Sequence, residues 1–245
     1  MASAQVCKVR PYTPKFETGI VRDGTGIAQA RRFRDSVMQR ETGQLPMDDR
    51  FDAFGEHLVV RESESGEIVG SCRLLAPRDA QRAGGYEAER HFDTALLIVL
   101  RDRLVEVDGP CVHPHYRFEN VVTYLWSALA RYLIENRHDY VLATAGISLR
   151  DGGHLAASTH RLACARFLSP DDYRVFPYQR LPLGNLSDTR QVILPALLKG
   201  YVELGAWVCG EPAVMLRLAQ AHFPVLMPLA RMQGRQARQF LAQAT

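Results

Sequence analysis

The chain has no CxxC pair, and its five cysteines (Cys7, Cys72, Cys111, Cys164, Cys209) are odd in number and scattered. That pattern excludes a disulfide framework and a structural zinc site, and it points to a reducing compartment. No apolar h-region follows the first methionine, and no apolar run approaches the ~20 residues a membrane span needs. A soluble, cytoplasmic protein is therefore expected. Strong charge is missing as well. Thirty Lys and Arg face 27 Asp and Glu, a net charge of +3. That is far from the footprint of a nucleic-acid binder, but it suits an acidic protein partner or an anionic membrane surface. Repeats, low-complexity tracts and domain linkers are absent too. With 47% hydrophobic and 23% charged residues, the 245-residue chain can bury a sizeable core.

What is present reads as one α/β unit. Residues 1–16 hold two prolines and no periodicity, and form an expected N-terminal arm. A first strand is expected over Glu17–Arg22, then Asp23 as N-cap of a helix from Ile27 to Arg40, whose basic face carries Arg31, Arg32 and Arg40. His57–Val60 and Ile68–Leu75 flank Ser65-Gly66 as a hairpin. Residues 76–93 read as a long loop, Thr94–Arg101 as a short helix, and Leu104–Val107 as a central strand. A Pro-broken turn and a long helix from about Val121 follow, with Val122, Leu125, Trp126, Leu129, Tyr132 and Leu133 inward. Next come a strand at Tyr140–Ala145, a turn at Asp151–Gly153, a helix over His154–Phe167 and an extended Tyr173–Tyr178. Leu194-Pro195 opens a helix that Gly205 closes. Ala206–Cys209 and Phe223–Leu229 read as the last strands. The main domain spans 17–230, and 231–245 is a basic amphipathic tail with Arg231, Arg235 and Arg238.

The stretch from Leu104 to Glu135 organises the rest. A single carboxylate, Glu106, sits inside an apolar strand that feeds a turn and a helix N-terminus, a ready place for an anionic group. Arg73, inside a neighbouring strand, needs a carboxylate or a ligand unless it faces water. Glu106 itself can be a working acid or a structural partner of Arg73. Cys111 can be an acyl-accepting nucleophile or a small packed hydrophobe. The His113-Pro114-His115 pair finds no further ligands at metal-binding spacing. Arg117, at the helix entrance, suits a phosphate as well as solvent.

At CVHPHYR (residues 111–117) the sequence resembles the acceptor-loop region of the GNAT acyltransferase superfamily. Its wording is similar to the ornithine N-acyltransferase branch, whose members often carry the label haemolysin. The likeness spans nearly the whole chain, through HLVV with VGSCRLLAP, AGGYEAERHFD, LVEV, YLWSALARYL, DGGHLAAS, YRVFP, LPALLKGYVELGAWVCGEPA and FPVLMPLARM. The branch is related to acyl-homoserine-lactone synthases and N-acyl amino acid synthases. The resemblance implies a GNAT-like twisted mixed β-sheet flanked by helices. It also implies transfer of a long-chain (3-hydroxy)acyl group from the phosphopantetheine of acyl carrier protein to the α-amine of an amino acid such as ornithine, giving an N-acyl amino acid or lyso-aminolipid. No bound cofactor, no metal and no nucleic acid are implied, and the cytoplasmic protein can touch the inner membrane peripherally.

Residue by residue, the resemblance assigns Glu106 to amine deprotonation or orientation. It assigns Arg34, Asp49, Asp52 and Arg73 to the acceptor pocket, and Cys111, Val112, His113, Tyr116 and Arg117 to the acyl-donor arm. Backbone amides from Gly109 to Val112 suit an oxyanion. Three departures stand out. The family's E-x-G-R-S-C-V reads here Glu106-Val107-Asp108-Gly109-Pro110-Cys111-Val112, so an arginine is lost at Gly109. Phe118 to Val122 replace the superfamily's loop glycines, which favours a carrier protein over coenzyme A. Val214 and Met215 stand where an acid follows GEPA. These departures leave open another amine acceptor, or a relative that only binds acyl carrier protein.

Overall fold

The computed structural model describes residues 15–43, 50–117, 121–186 and 194–232. The expected tail beyond 232, most of the N-terminal arm and Asp49 lie outside them. Ten strands and five α-helices occur among the described residues, in the order β1 (Phe16–Val21), α1 (Gly24–Thr42), β2 (Glu56–Glu62), β3 (Ile68–Leu75), α2 (Pro77–Ala83), β4 (Phe92–Asp93), β5 (Leu104–Val112), α3 (Val121–Glu135), β6 (Tyr140–Ser148), α4 (His154–Arg166), β7 (Phe176–Pro177), α5 (Ala196–Glu203), β8 (Trp207–Val208), β9 (Ala213–Met215) and β10 (Gln220–Pro228).

The main sheet runs β1-β2-β3-β5-β6-β10-β8, with β9 on β10. Every pairing is antiparallel except β5 with β6. That parallel pair is joined from Leu104↔Tyr140 to Val107↔Ala143, and no rung joins the two strands beyond it. The sheet is therefore split at its centre just where the chemistry-bearing residues follow. Strand alternation gives it two apolar faces. One carries Val105, Val107, Val141, Ala143 and Val225 against α3, α4 and α5. The other carries Leu75, Leu104, Leu142 and Leu226 against α2 and the loops around Phe51 and Tyr86. Gly70 lets α3 approach closely, since a Cβ there would lie 2.7 Å from Val121 Cγ1. The expected mixed, twisted α/β sheet flanked by helices is what is found.

Several local expectations are corrected. Residues 76–93 are not one loop: Pro77 starts α2 and Gly84, at φ 81°, caps it. The segment Ala95–Arg103 is a 3-10 helix, with only Leu97 and Leu100 buried. The central strand does not end in a turn at Val107 but continues through Pro110 to Val112. Tyr173–Tyr178 is extended only at β7, after a 3-10 turn over Asp171–Tyr173. Val122 points outward at 47% exposure, and Val121 takes the inward position instead. Asp23 caps α1 as expected, its carboxylate accepting from Gly26 N–H at 2.9 Å.

Candidate active site

Strand β5 presents Leu104, Glu106 and Asp108 on one face by simple alternation. Opposite it, β3 places Arg73 against Asp108 and Leu75 against Glu106. Between Asp108 and Cys111 the register slips: Gly109 and Pro110 together face the single residue Cys72, a β-bulge. Gly109 sits at φ 57°, and a Cβ there would lie 2.9 Å from Arg34 Cδ. A side chain at residue 109 would be strained in this conformation and would require the Arg34 stem, which crosses above it, to shift.

Arg34, Asp52 and Arg73 are brought together. Asp52, 1% exposed, accepts from Arg34 through both oxygens, at 2.8 and 2.7 Å. It also accepts from Arg73 at 3.1 Å and pairs with Arg31 Nε at 3.0 Å. Desolvation works against the charged carboxylate, but the arginine bonds and charges outweigh it and hold its pKa down. Arg73, also 1% exposed, donates to Asp108 at 2.8 Å as well. Its charge is met by carboxylates, as a cation in a strand requires, and it does not face water. His57 lies 3.7 Å from Asp52; burial, the leading cause, brings its pKa down to about 4, so it stays neutral.

Glu106 stands apart from this cluster. Its expected alternative partner, Arg73, is taken by Asp52 and Asp108. Its oxygens instead accept the backbone N–H groups of Glu87 (2.6 Å) and Ala88 (2.7 Å). It is 3% exposed, and burial, with help from the Glu87 and Asp108 carboxylates, pushes its pKa up to about 8 against the pull of those two amides. Beyond it, along the side where β5 and β6 have parted, stand Glu87 with His91 at 3.2 Å, and His222 with Thr144 at 3.4 Å and Gln220 at 2.9 Å.

On the opposite face of β5, an apolar cavity of about 110 Å³ is lined by Cys72, Val107, Pro110–Val112, Val122, Leu125, Trp126, Leu129 and Leu197. Burial raises the Cys111 pKa to about 12, so its thiol packs in the cavity wall as an un-ionised group. Val112 lines the same cavity. His113 donates its N–H to Val69 C=O at 2.8 Å and lies 3.5 Å from Arg40. Burial, then His115 and Arg40, keep His113 neutral. Tyr116 packs edge-on to Phe16, and Arg117 pairs with Glu41. Donor-arm candidates and acceptor-pocket candidates thus flank one bulged strand.

Asp108, the amides of Glu87 and Ala88, and the Thr144–His222 pair were not singled out from the sequence. Asp108 had a legible signal, an acid two residues along the strand from Glu106. The other groups come from loops and a strand far away in the chain, and nothing local marks them.

Residues 31–127 match the model of the Acetyltransferase (GNAT) domain. The chain is 29% identical over 224 residues to an L-ornithine N(alpha)-acyltransferase of Rhodobacter capsulatus, covering 82% of this chain and 85% of that protein. It is 26% identical to the protein of the same name from Rhizobium meliloti, covering 94% and 85%. Among solved structures it is similar to FeeM, an N-acyl amino acid synthase from uncultured soil microbes (TM-score 0.54, 14% identity, 93% of this chain and 99% of that one). It is also similar to the AHL synthase LasI (TM-score 0.51, 11% identity, 94% and 96%).

Proposed function

We propose that this chain, a GNAT-fold N-acyltransferase homologous to the L-ornithine N(alpha)-acyltransferases, moves a long-chain (3-hydroxy)acyl group from acyl carrier protein to the α-amine of an amino acid such as ornithine. The product is an N-acyl amino acid or lyso-aminolipid. The observation that carries this reading is one strand with, on one face, a buried acid that has no ion pair among the described residues and, on the other, an apolar cavity, joined at a bulge. A thioester lying along Pro110–Val112 puts its first carbons in the cavity. At about 110 Å³ that space is smaller than the ~150 Å³ that accommodates benzene. It takes the head of the chain only, and the remainder runs out past exposed Val122.

The acceptor's ammonium enters beside Glu106, Asp108 and Glu87, an acid-rich wall that favours a cation. Glu106, with a pKa near that of its task, takes one ammonium proton. The freed nitrogen attacks the thioester carbon. Backbone N–H groups at the bulge face the developing oxyanion; as it collapses the C–S bond breaks, and the departing pantetheine thiolate takes the second proton from the nitrogen, leaving amide and thiol. Arg34 and Arg73, fixed by Asp52, frame the pocket. His113, Tyr116 and Arg117 hold the donor arm, for which Arg117 exchanges Glu41 for phosphate. No cofactor of the enzyme's own takes part. No helix among the described residues is long and apolar enough to cross a membrane; contact with the inner membrane, on this reading, is peripheral and from the cytoplasmic side.

The test is incubation with long-chain acyl carrier protein or the matching acyl-coenzyme A and a panel of amino acids and other amines, reading new amide by mass. Amide from the carrier-protein donor with ornithine is the expected result. Turnover only with coenzyme A overturns the donor, and turnover only with another amine overturns the acceptor.

A further inference from the structure

Amide formation from an ammonium and a thioester releases one proton overall. Of the two that leave the nitrogen, the thiolate keeps one and Glu106 takes the other, which it must pass on before it can act again. Glu106 is 3% exposed, so bulk water does not meet it directly, and with its pKa pushed up to about 8 it holds the proton at neutral pH. A base so placed needs a way out for what it collects. Glu106 Oε2 accepts the Glu87 N–H at 2.6 Å, and the Glu87 side chain starts from that same residue. The two carboxylates are therefore no farther apart than about 8 Å, a gap that water bridges. After burial, the Glu87 carboxylate is the foremost influence on Glu106. It meets His91 Nε2 in turn, at 3.2 Å. Exposure rises along this line, from 3% at Glu106 to 19% for the Glu87 side chain and 26% for that of His91. The other polar groups nearby are engaged elsewhere: Asp108 with Arg73, Glu89 with Arg101, and His222 with Thr144 and Gln220. Histidine is the side chain that ordinarily titrates closest to neutral pH, which suits the outer member of such a line.

We propose that Glu87 and His91 form the proton outlet of Glu106, carrying the ammonium proton from the buried base to solvent once per turnover. This rests on the assignment of Glu106 as the base and says how that base is regenerated. The proton passes from the Glu106 carboxyl through water to the Glu87 carboxylate, and from there to His91. The resulting imidazolium loses it to water or buffer. Only O–H and N–H bonds are made and broken, and both carboxylates and the imidazole end in the charge state in which they began. Glu87 thus has two parts: its backbone N–H holds Glu106 in place, and its side chain drains it.

The experiment follows steady-state amide formation by the wild type, His91→Ala and Glu87→Gln in dilute and in concentrated imidazole buffer, at constant pH and ionic strength. In dilute buffer His91→Ala is expected to lower kcat about tenfold, short of the ~100-fold of a lost general base. The fall in kcat/KM for the acyl donor is smaller, because proton release follows the transfer step. Imidazole in solution restores kcat toward the wild-type value, a response that a folding defect would not give. Glu87→Gln loses kcat as well, and the rising limb of its kcat/KM moves to a midpoint below about 8, because the anion that raises it is gone. An unchanged kcat in His91→Ala, a loss that imidazole does not restore, or an unmoved midpoint in Glu87→Gln overturns the outlet. Full turnover in Glu106→Gln removes the base itself, which is a separate failure.

Discussion

Two buried carboxylates stand on the same side of the sheet under opposite regimes. Asp52 is held by three guanidinium groups, and its pKa is pulled down. Glu106 has two backbone amides and, among the described residues, no cation paired with it, and its pKa is pushed up to about 8. Both are almost completely shielded from water, so burial alone does not separate them. What separates them is where the cations were placed. An acid saturated with arginine is a rivet: it is ionised throughout the working pH range and has no use for a proton. An acid denied any cation is uncomfortable when charged, and that discomfort makes it a base near neutrality.

The largest expected consequence falls on the rivet. Asp52→Asn removes the charge that Arg34 and Arg73 share, and takes from buried Arg73 one of the two carboxylates that meet its charge, Asp108 remaining. Breaking a buried ion pair from one side costs ~3–5 kcal/mol, a large part of the stability of an ordinary domain. Urea unfolding at pH 7 measures it. A loss below about 1 kcal/mol would mean that the cluster is not a stabilising unit.

Glu106→Gln is expected to behave the other way round. One of the two amide bonds survives on the Gln carbonyl, so the change in stability at pH 7 is under about 1.5 kcal/mol. Turnover, in contrast, falls at least ~100-fold, the usual scale for a lost general base. The variant should also lose the limb of kcat/KM that rises with pH toward a midpoint of about 8. Stability supplies a second check. The folded pKa of about 8 lies above the ordinary 4.5, so the folded state holds the proton more tightly than the unfolded one. Wild-type stability therefore declines as pH rises from about 4.5 through about 8, and Glu106→Gln flattens that decline. Full turnover in the variant would remove the base assignment and leave the rivet untouched.

Glu106 and Arg73 were legible in the sequence for one reason: a charge in the middle of an apolar strand is conspicuous. Their relationship was not legible. The sequence offers Glu106 as a structural partner of Arg73, but the register beside the bulge at Gly109–Pro110 sets Arg73 opposite Asp108 and Leu75 opposite Glu106. A proline in a strand ordinarily signals its end, which is why β5 was expected to stop early; at a bulge the missing N–H is tolerated. The amides that hold Glu106 belong to Glu87 and Ala88 in a 3-10 turn that carries no periodicity. The fold class was easier to read, because hairpin, parallel pair and amphipathic helices each leave a period. β9, three residues long, left none.

The smallest effect sharpens the comparison most. A carboxylate offers about four acceptor positions, and on Asp52 they are taken by two N–H groups of Arg34, one of Arg73 and Nε of Arg31. These bonds differ in their surroundings. The Arg34 side chain is 11% exposed, and that of Arg31 is 35% exposed. Water can replace Arg31 at Oδ2, whereas nothing replaces the double bond from Arg34. Arg31→Ala is then expected to cost under about 1 kcal/mol, in the range of partly exposed ion pairs. Arg34→Ala should cost two to three times as much in the same urea titration. If both substitutions cost the same large amount, Asp52 is not a rivet with a dispensable outer bond. Its arginines would then act as one cooperative unit, and the line between a saturated acid and a deprived one would have to be drawn by network rather than by counting bonds.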